Sequence, residues 1–225
     1  AFACTRWCGV DHWRMRGVIE VVPGEGATGV RPTPVAPLFQ QLGIDIDAMR
    51  HDAAASPVVR PSAARGAALN VSLSPELAAA ATRRTLAPAD AFGQLRAADA
   101  SAGLTDEDLW DLVALAWLRD VPPETLERAA SLYARDCAAC HGETGRGDGL
   151  AGKNLPGMAK MDPMMPAGPA DFTHAGQMLS ASDVLLQGKL LRGGMGTGMP
   201  EFGSLYSEEE LWGMVTYLRT FLFDR

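Results

Sequence analysis

The chain has 225 residues, enough for one large domain or two small ones, and its 47% hydrophobic and 21% charged content is that of a globular protein. A net charge of −7, from 20 basic and 27 acidic residues without any Lys/Arg stripe, argues against nucleic-acid binding. No apolar run approaches the roughly 20 residues that a membrane-spanning helix needs.

Residues 1–22 read as a loop followed by a strand, with Val18, Ile19, Val21 and Val22 forming a β-branched run that Pro23 ends. The loop carries Cys4, Cys8, His12 and Met15 in the spacing C-x3-C-x3-H-x2-M. A disulfide explains the two cysteines but neither His12 nor Met15. Thiolate, imidazole and thioether in one short loop suit copper, because soft sulfur ligands select it. The motif resembles the ligand loop of the dinuclear CuA centre in subunit II of haem-copper oxidases, and the segment 17–22 is similar to the strand that closes that cupredoxin barrel. The resemblance implies that Cys4 and Cys8 bridge two coppers, that His12 and Met15 each ligate one, and that the Arg6 carbonyl is a further ligand. It also requires a second His on an earlier strand, and the sequence begins at Ala1 without an initiator Met or a signal segment. The chain is therefore expected to be the C-terminal part of a longer protein, binding copper only when the upstream domain is present. Oxidases of this kind commonly carry Glu at the position of Arg6, where it helps to hold magnesium. Arg cannot do that, which keeps a CuA-containing nitric oxide reductase or a divergent oxidase branch in view.

Gly and Pro recur from Pro23 to Pro37, the composition of a linker, and the linker is assigned to 23–44. Residues 45–121 are rich in Ala, with a short helix expected over 76–84 and a sharper one from Thr105 to about Asp120. The latter has acidic residues in its first turn and Leu109, Trp110, Leu112, Val113, Ala116 and Trp117 on one face. Further helices are expected over 124–139, over 181–192 with Ser180 or Ser182 as N-cap, and from Ser207 to about Phe223. Residues 142–173 read as a long Gly/Pro/Met-rich loop.

There is an internal echo. Residues 104–113 match 206–215, and Arg65-Gly66-Ala67-Ala68-Leu69 is similar to Arg128-Ala129-Ala130-Ser131-Leu132. Either two amphipathic helices share a common start, or residues 45–121 are a degenerate, haemless copy of the unit that follows. In the second case the cysteine positions fall at Ser74 and Leu77, the histidine at Ala78 and the axial methionine near Ala89. The isolated His51 reads as a surface residue.

Cys137-Ala-Ala-Cys140-His141 is the C-x-x-C-H spacing of covalent c-type haem attachment: two thiols add to the porphyrin vinyl groups and the adjacent imidazole reaches the iron. A redox disulfide wants a βαβ context, and zinc needs a second ligand pair. The sixth-ligand candidates are Met158, Met161, Met164, Met165, Met178, Met195, Met199, Met214 and His174. Met199 is best placed, in a Gly-rich turn before Pro200, with Met195 its rival; Met214 reads as core.

Residues 122–225 resemble a class I cytochrome c domain. The resemblance is carried by C-A-A-C-H-G, by G-x-G-D-G at 145–149, by P-A-D-F-T at 169–173, by G-M-P-E-F-G at 198–203, and by L-W-x-x-V-x-Y-L at 211–218. The implied fold is mainly α: a class I cytochrome c fold, preceded by an Ala-rich helical or irregular segment and the last strand and loop of a cupredoxin. In that family the first and last helices cross, which would bring Ala129 and Tyr133 to Val215 and Tyr217. The family usually has Gly where Ala129 stands, which asks for a slightly wider helix spacing.

The implied function is electron transfer through a covalently bound c-type haem with His141–Met199 ligation, in the subunit II/cytochrome c part of a respiratory haem-copper terminal oxidase. Alternatives are the electron-entry subunit of a nitric oxide reductase, a gas- or peroxide-binding haem protein with an open sixth site, and a haem-free structural module. No catalysis is expected of this chain alone. The expected partners are a cytochrome or cupredoxin donor and the catalytic subunit of a haem-copper reductase, with no nucleic acid. The expected location is the periplasm or the extracytoplasmic face of the membrane.

Overall fold

The computed structural model describes residues 2–3, 16–17, 35–48, 51–153, 168–194 and 197–225. Two short strands, β1 (Phe2–Ala3) and β2 (Arg16–Gly17), pair antiparallel with Phe2 opposite Gly17 and Ala3 opposite Arg16. The strand expected at 18–22 and most of the Gly/Pro-rich stretch lie outside the described residues, as do Cys4, Arg6, Cys8, His12 and Met15. Almost all the rest is helical or irregular, in keeping with a mainly α chain that ends in a class I cytochrome c fold. Among the described residues no helix is long and apolar enough to cross a membrane.

The helices before the cytochrome-like part are short: α1 (Leu38–Gln41), α2 (Ala63–Ala68), α3 (Pro75–Ala78), α4 (Ala80–Thr85) and α5 (Pro88–Ala97). The helix expected over 76–84 is broken at Ala79, whose backbone is extended (φ −79°, ψ 121°). Buried Arg83 turns back across the break and donates to the carbonyls of Leu77 (3.0 Å) and Ala78 (3.1 Å), satisfying groups that a continuous helix would have used. Then α6 (Asp106–Leu118) begins on a capping box in which Thr105 and Asp108 satisfy each other's backbone N–H groups, and it buries Leu109, Trp110, Leu112, Val113, Ala116 and Trp117 as its periodicity predicts.

The cytochrome-like part begins with α7 (Pro123–Asp136), followed by α8 (Ala138–His141) and α9 (Leu150–Lys153). It continues with α10 (Ala175–Leu179), α11 (Asp183–Arg192, N-capped by Ser182) and α12 (Glu208–Arg219). A second capping box, Ser207 with Glu210, starts α12. Helix α7 packs on α12 through small residues: a Cβ on Gly213 would lie 3.3 Å from Thr125 Cγ2 and 4.0 Å from the Ala129 Cβ. The Ala at 129 is thus accommodated by a glycine on the facing helix. Tyr133 meets Tyr217 there, with ring centroids 5.4 Å apart.

The echoing stretches pack alike. Helix α2 lies against α6 at Gly66, where a Cβ would come 2.2 Å from the Asp111 carbonyl oxygen. Gly66 corresponds to Ala129 in one echo and Asp111 to Gly213 in the other, so both pairs sit at a helix–helix contact. Buried Asp111 closes the first contact by accepting from the Ser62 N–H and from Arg65 Nε and Nη2. The positions corresponding to a haem motif carry other roles: Ser74 caps α3 by accepting from the Leu77 N–H, Leu77 is core, and Ala78 and Ala89 are half-buried. His51 is exposed.

The segment before residue 122 shares one continuous cluster of buried side chains with the segment after it. Trp117 Nε1 (α6) and Arg219 (α12) both donate to Asp183 Oδ1 at the start of α11, Trp117 over 3.1 Å and Arg219 Nη2 over 2.7 Å. Residues 61–63 run alongside Asp224, with the Asp224 N–H donating to Pro61 and the Ala63 N–H to Asp224.

Candidate functional site

The site is built on the end of α7. Pro123 opens that helix, Leu132 and Tyr133 face inward, and the helix stops at Cys137, whose φ of −115° lets the chain re-enter the single turn of α8. This places Cys137, Cys140 and His141 on consecutive turns, with the N–H groups of Cys140 and His141 both donating to the Cys137 carbonyl. Both cysteines are free thiols, Cys137 buried and Cys140 half-buried. Burial, followed by the nearby charges of Asp136 and Cys140, pushes the Cys137 thiol up to about 12.

The loop that follows is folded tightly under this turn. The Gly147 N–H donates to the His141 carbonyl (2.8 Å) and the Gly149 N–H to the Cys140 carbonyl (3.1 Å). A Cβ on Gly149 would fall 2.4 Å from the Ala139 oxygen, so the third glycine of G-x-G-D-G is required by close approach. The Phe172 N–H then donates to Gly145 (2.7 Å), which draws the P-A-D-F-T segment beneath the histidine.

The His141 ring stacks on Phe172 at 4.6 Å between centroids, and its Nδ1 lies 3.1 Å from the Ala170 carbonyl oxygen. A carbonyl can only accept, so this contact makes Nδ1 the protonated nitrogen and leaves Nε2 as the donor available to a metal. Burial lowers the His141 pKa, and the bond to Ala170 partly opposes that shift; the neutral, ligating form is favoured at neutral pH. Tyr133, Tyr217, Phe172 and Phe221 pack as a ring cluster behind the imidazole, and the Tyr133 hydroxyl donates to the Gly142 carbonyl at 2.7 Å.

Met199 is half-buried in the turn that follows α11. The turn that carries it is pinned at its base: the Gly194 N–H donates to the Met199 carbonyl (3.2 Å), and the N–H groups of Phe202 and Gly203 donate to Leu190 and Leu191. Gly193 has φ +75°, and a Cβ there would lie 2.4 Å from the Pro200 oxygen. Of the other candidates, Met178 and Met214 are core residues, 4% and 2% exposed. His174 caps α10, its Nδ1 accepting from the Gln177 N–H at 3.3 Å. Met158, Met161, Met164, Met165 and Met195 lie outside the described residues.

The residue set fits a covalently held haem: two free thiols in adjacent turns, a neutral imidazole fixed in the ligating tautomer, and a thioether on a separately braced turn. Among the described residues no group of three or more His, Cys, Asp or Glu side chains could hold a metal ion, so the second ligand pair that zinc requires is not found there. Two parts of the site had no role in the sequence reading. Ala170 acts through its backbone and leaves no side-chain signal, whereas Phe172 stood inside a quoted motif without an assigned partner.

Residues 124–218 match the family described as cytochrome c oxidase, cbb3-type, subunit III. The match falls on the part of the chain that has the class I cytochrome c fold. The match names a subunit III, where the N-terminal resemblance points to subunit II, and it does not extend to the Cys4–Met15 loop. Among solved structures, a chain of the Kuenenia stuttgartiensis reducing HAO-like protein complex is similar at 21% identity and a TM-score of 0.38. That alignment covers 53% of this chain and 62% of the other. No curated protein matches the sequence.

Proposed function

We propose that this chain transfers electrons through one c-type haem, attached at Cys137 and Cys140 and ligated by His141 and Met199. The observation that carries the reading is the His141 imidazole, oriented by the Ala170 carbonyl beside two free thiols at haem-attachment spacing. When bound, such a group supplies a one-electron couple whose potential is raised by His–Met ligation. The chain's own residues would hold it rigidly. Phe172 fixes the ring plane, the glycines of 145–149 close the loop under the attachment turn, and Gly193 and Gly194 brace the methionine turn.

We further infer that the chain serves a haem-copper oxidase complex at the extracytoplasmic side, taking electrons from a small redox donor and passing them towards the catalytic subunit. The cytochrome family of residues 124–218 supports membership of an oxidase complex. The C-x3-C-x3-H-x2-M spacing supports placement beside a CuA centre, with copper held only when an upstream domain completes the ligands. Residues 45–121 would then be a haemless cytochrome-like unit, a reading supported by the matching capping boxes and helix contacts of the two halves.

The test is spectroscopic. A haemochrome assay on the matured protein should report one covalent haem per chain, and the ferric form should show a weak near-infrared methionine–iron band. Met199→Ala should abolish that band and Met195→Ala should leave it; the reverse would reassign the ligand. Ready binding of carbon monoxide by the reduced wild type at neutral pH would overturn the closed six-coordinate reading.

A further inference from the structure

We propose that Asp47 is a positioning residue for the axial methionine: through Arg192 it holds the turn that presents Met199, so the strap of chain ahead of the cytochrome c domain sets how firmly the sixth ligand is kept. The inference rests on the His141–Met199 ligation proposed above.

Arg192 is the last residue of α11, and its side chain is only 3% exposed. A cation there complements the helix dipole, and all three of its nitrogens are engaged. Nη1 and Nη2 donate to the two carboxylate oxygens of Asp47, the latter over 2.5 Å, and Nε donates to the Gly193 carbonyl at 3.2 Å. Such a two-point grip fixes the plane of the guanidinium as well as its position. The next links are backbone. Gly193 packs its Cα against Pro200, and the Gly194 N–H holds the Met199 carbonyl. The Asp47 carboxylate is therefore joined to the Met199 backbone through Arg192 and two glycines.

Asp47 is itself held in place by the strap. Phe39 and Ile46 fill the space beside Gly188 on α11, where a Cβ would lie 2.9 Å from the Phe39 ring and 3.0 Å from the Ile46 Cγ2. Further on, the Ala53 N–H donates to the Gly176 carbonyl of α10 at 2.9 Å. Substituting Asp47 would leave α11 in place on its other contacts but would release the fork that orients the Gly193 carbonyl.

The experiment uses the full chain loaded with haem and measures competition of free imidazole for the sixth position, with the near-infrared methionine–iron band as the second readout. Asp47→Asn is expected to raise the apparent imidazole affinity on the order of tenfold, the scale of one hydrogen bond to a charged group, and to weaken the band. Arg192→Lys, which keeps the charge but loses the fork, should do the same. Asp47→Glu should restore wild-type behaviour. Trp117→Phe, which removes a bond to Asp183 at the opposite end of α11, should lower overall stability and leave the imidazole affinity unchanged. Wild-type affinity in both Asp47→Asn and Arg192→Lys would overturn the proposal, as would an equal rise in Trp117→Phe. A wild-type protein with covalent haem but no methionine–iron band would instead overturn the Met199 assignment, and this inference with it.

Discussion

Replacing Arg219 by Met keeps most of the side-chain length and removes every polar contact. Arg219 is 0% exposed; it donates to Asp183 Oδ1 from Nε (2.8 Å) and Nη2 (2.7 Å), to the Met178 carbonyl (2.6 Å) and to the Ala181 carbonyl (2.5 Å). The substitution leaves the Asp183 carboxylate, 11% exposed, with Trp117 as its remaining side-chain donor in this cluster, and it takes from Ala181 its guanidinium donor. Breaking a buried ion pair costs about 3–5 kcal/mol, and a buried acceptor left unpaired about 1–3 kcal/mol more. Even the lower bound is a large share of the roughly 5–15 kcal/mol that a folded domain has. The expected loss is at least about 3 kcal/mol, read as a fall in the urea midpoint followed by circular dichroism. The double variant Arg219→Met/Asp183→Asn should lose clearly less than the sum of the two single variants, because the second change removes the charge that the first left unpaired. A single-variant loss below about 1 kcal/mol, or strict additivity, would show that this cluster does not join α6, α11 and α12.

In protein matured without haem, Cys137 should alkylate far more slowly than Cys140 at pH 8. Burial pushes the Cys137 thiol up to about 12 and shields its sulfur, so little reactive thiolate is present at pH 8, whereas Cys140 is half-buried. Equal rates in folded protein, or a difference that survives in urea, would contradict the burial argument. Acid should fray α12: Glu210 is held below the usual carboxylate range first by the Ser207 backbone N–H and then by Arg128. A lowered folded pKa means that the stabilisation is complete above the ordinary carboxylate range and is lost as pH falls through the folded value. Glu210→Gln should flatten the acid limb of a thermal-stability profile, and Ser207→Ala, which removes the N-cap oxygen, should cost about 1 kcal/mol at neutral pH.

The parts of this protein that were legible in the sequence are those written in contiguous residues. Thr105, Ser182 and Ser207 each cap the helix that their spacing announces, because a cap needs only its own next turn. The turn that carries Cys137, Cys140 and His141 was legible for the same reason: the three lie within five residues, and the backbone of one short helix places them. Nothing local marks Ala79 as a break in the helix expected over 76–84. The break depends on where Arg83 buries its guanidinium, a tertiary matter that propensity does not carry. The Ala129 contact shows the same limit from the other side. The small residue that close packing demands can stand on either helix, and here Gly213 supplies it.

What escaped the sequence is the pairing of charges between distant segments, each with at least one buried partner. Asp47 with Arg192, Asp111 with Arg65 and Asp183 with Arg219 are separated by 145, 46 and 36 positions, and each acid reads locally as an ordinary solvated residue. Their partners are arginines whose forks reach two or three acceptors at once, so each pair fixes an orientation as well as a distance. All three pairs join segments that carry or brace the cytochrome-like part. Two of them grip α11 at its opposite ends, Asp183 at the start and Arg192 at the finish. On the proposed His141–Met199 ligation, the pair at the end of α11, Asp47 with Arg192, would bear on the sixth ligand without touching it, whereas the Asp183 cluster at the start of the helix contributes to stability.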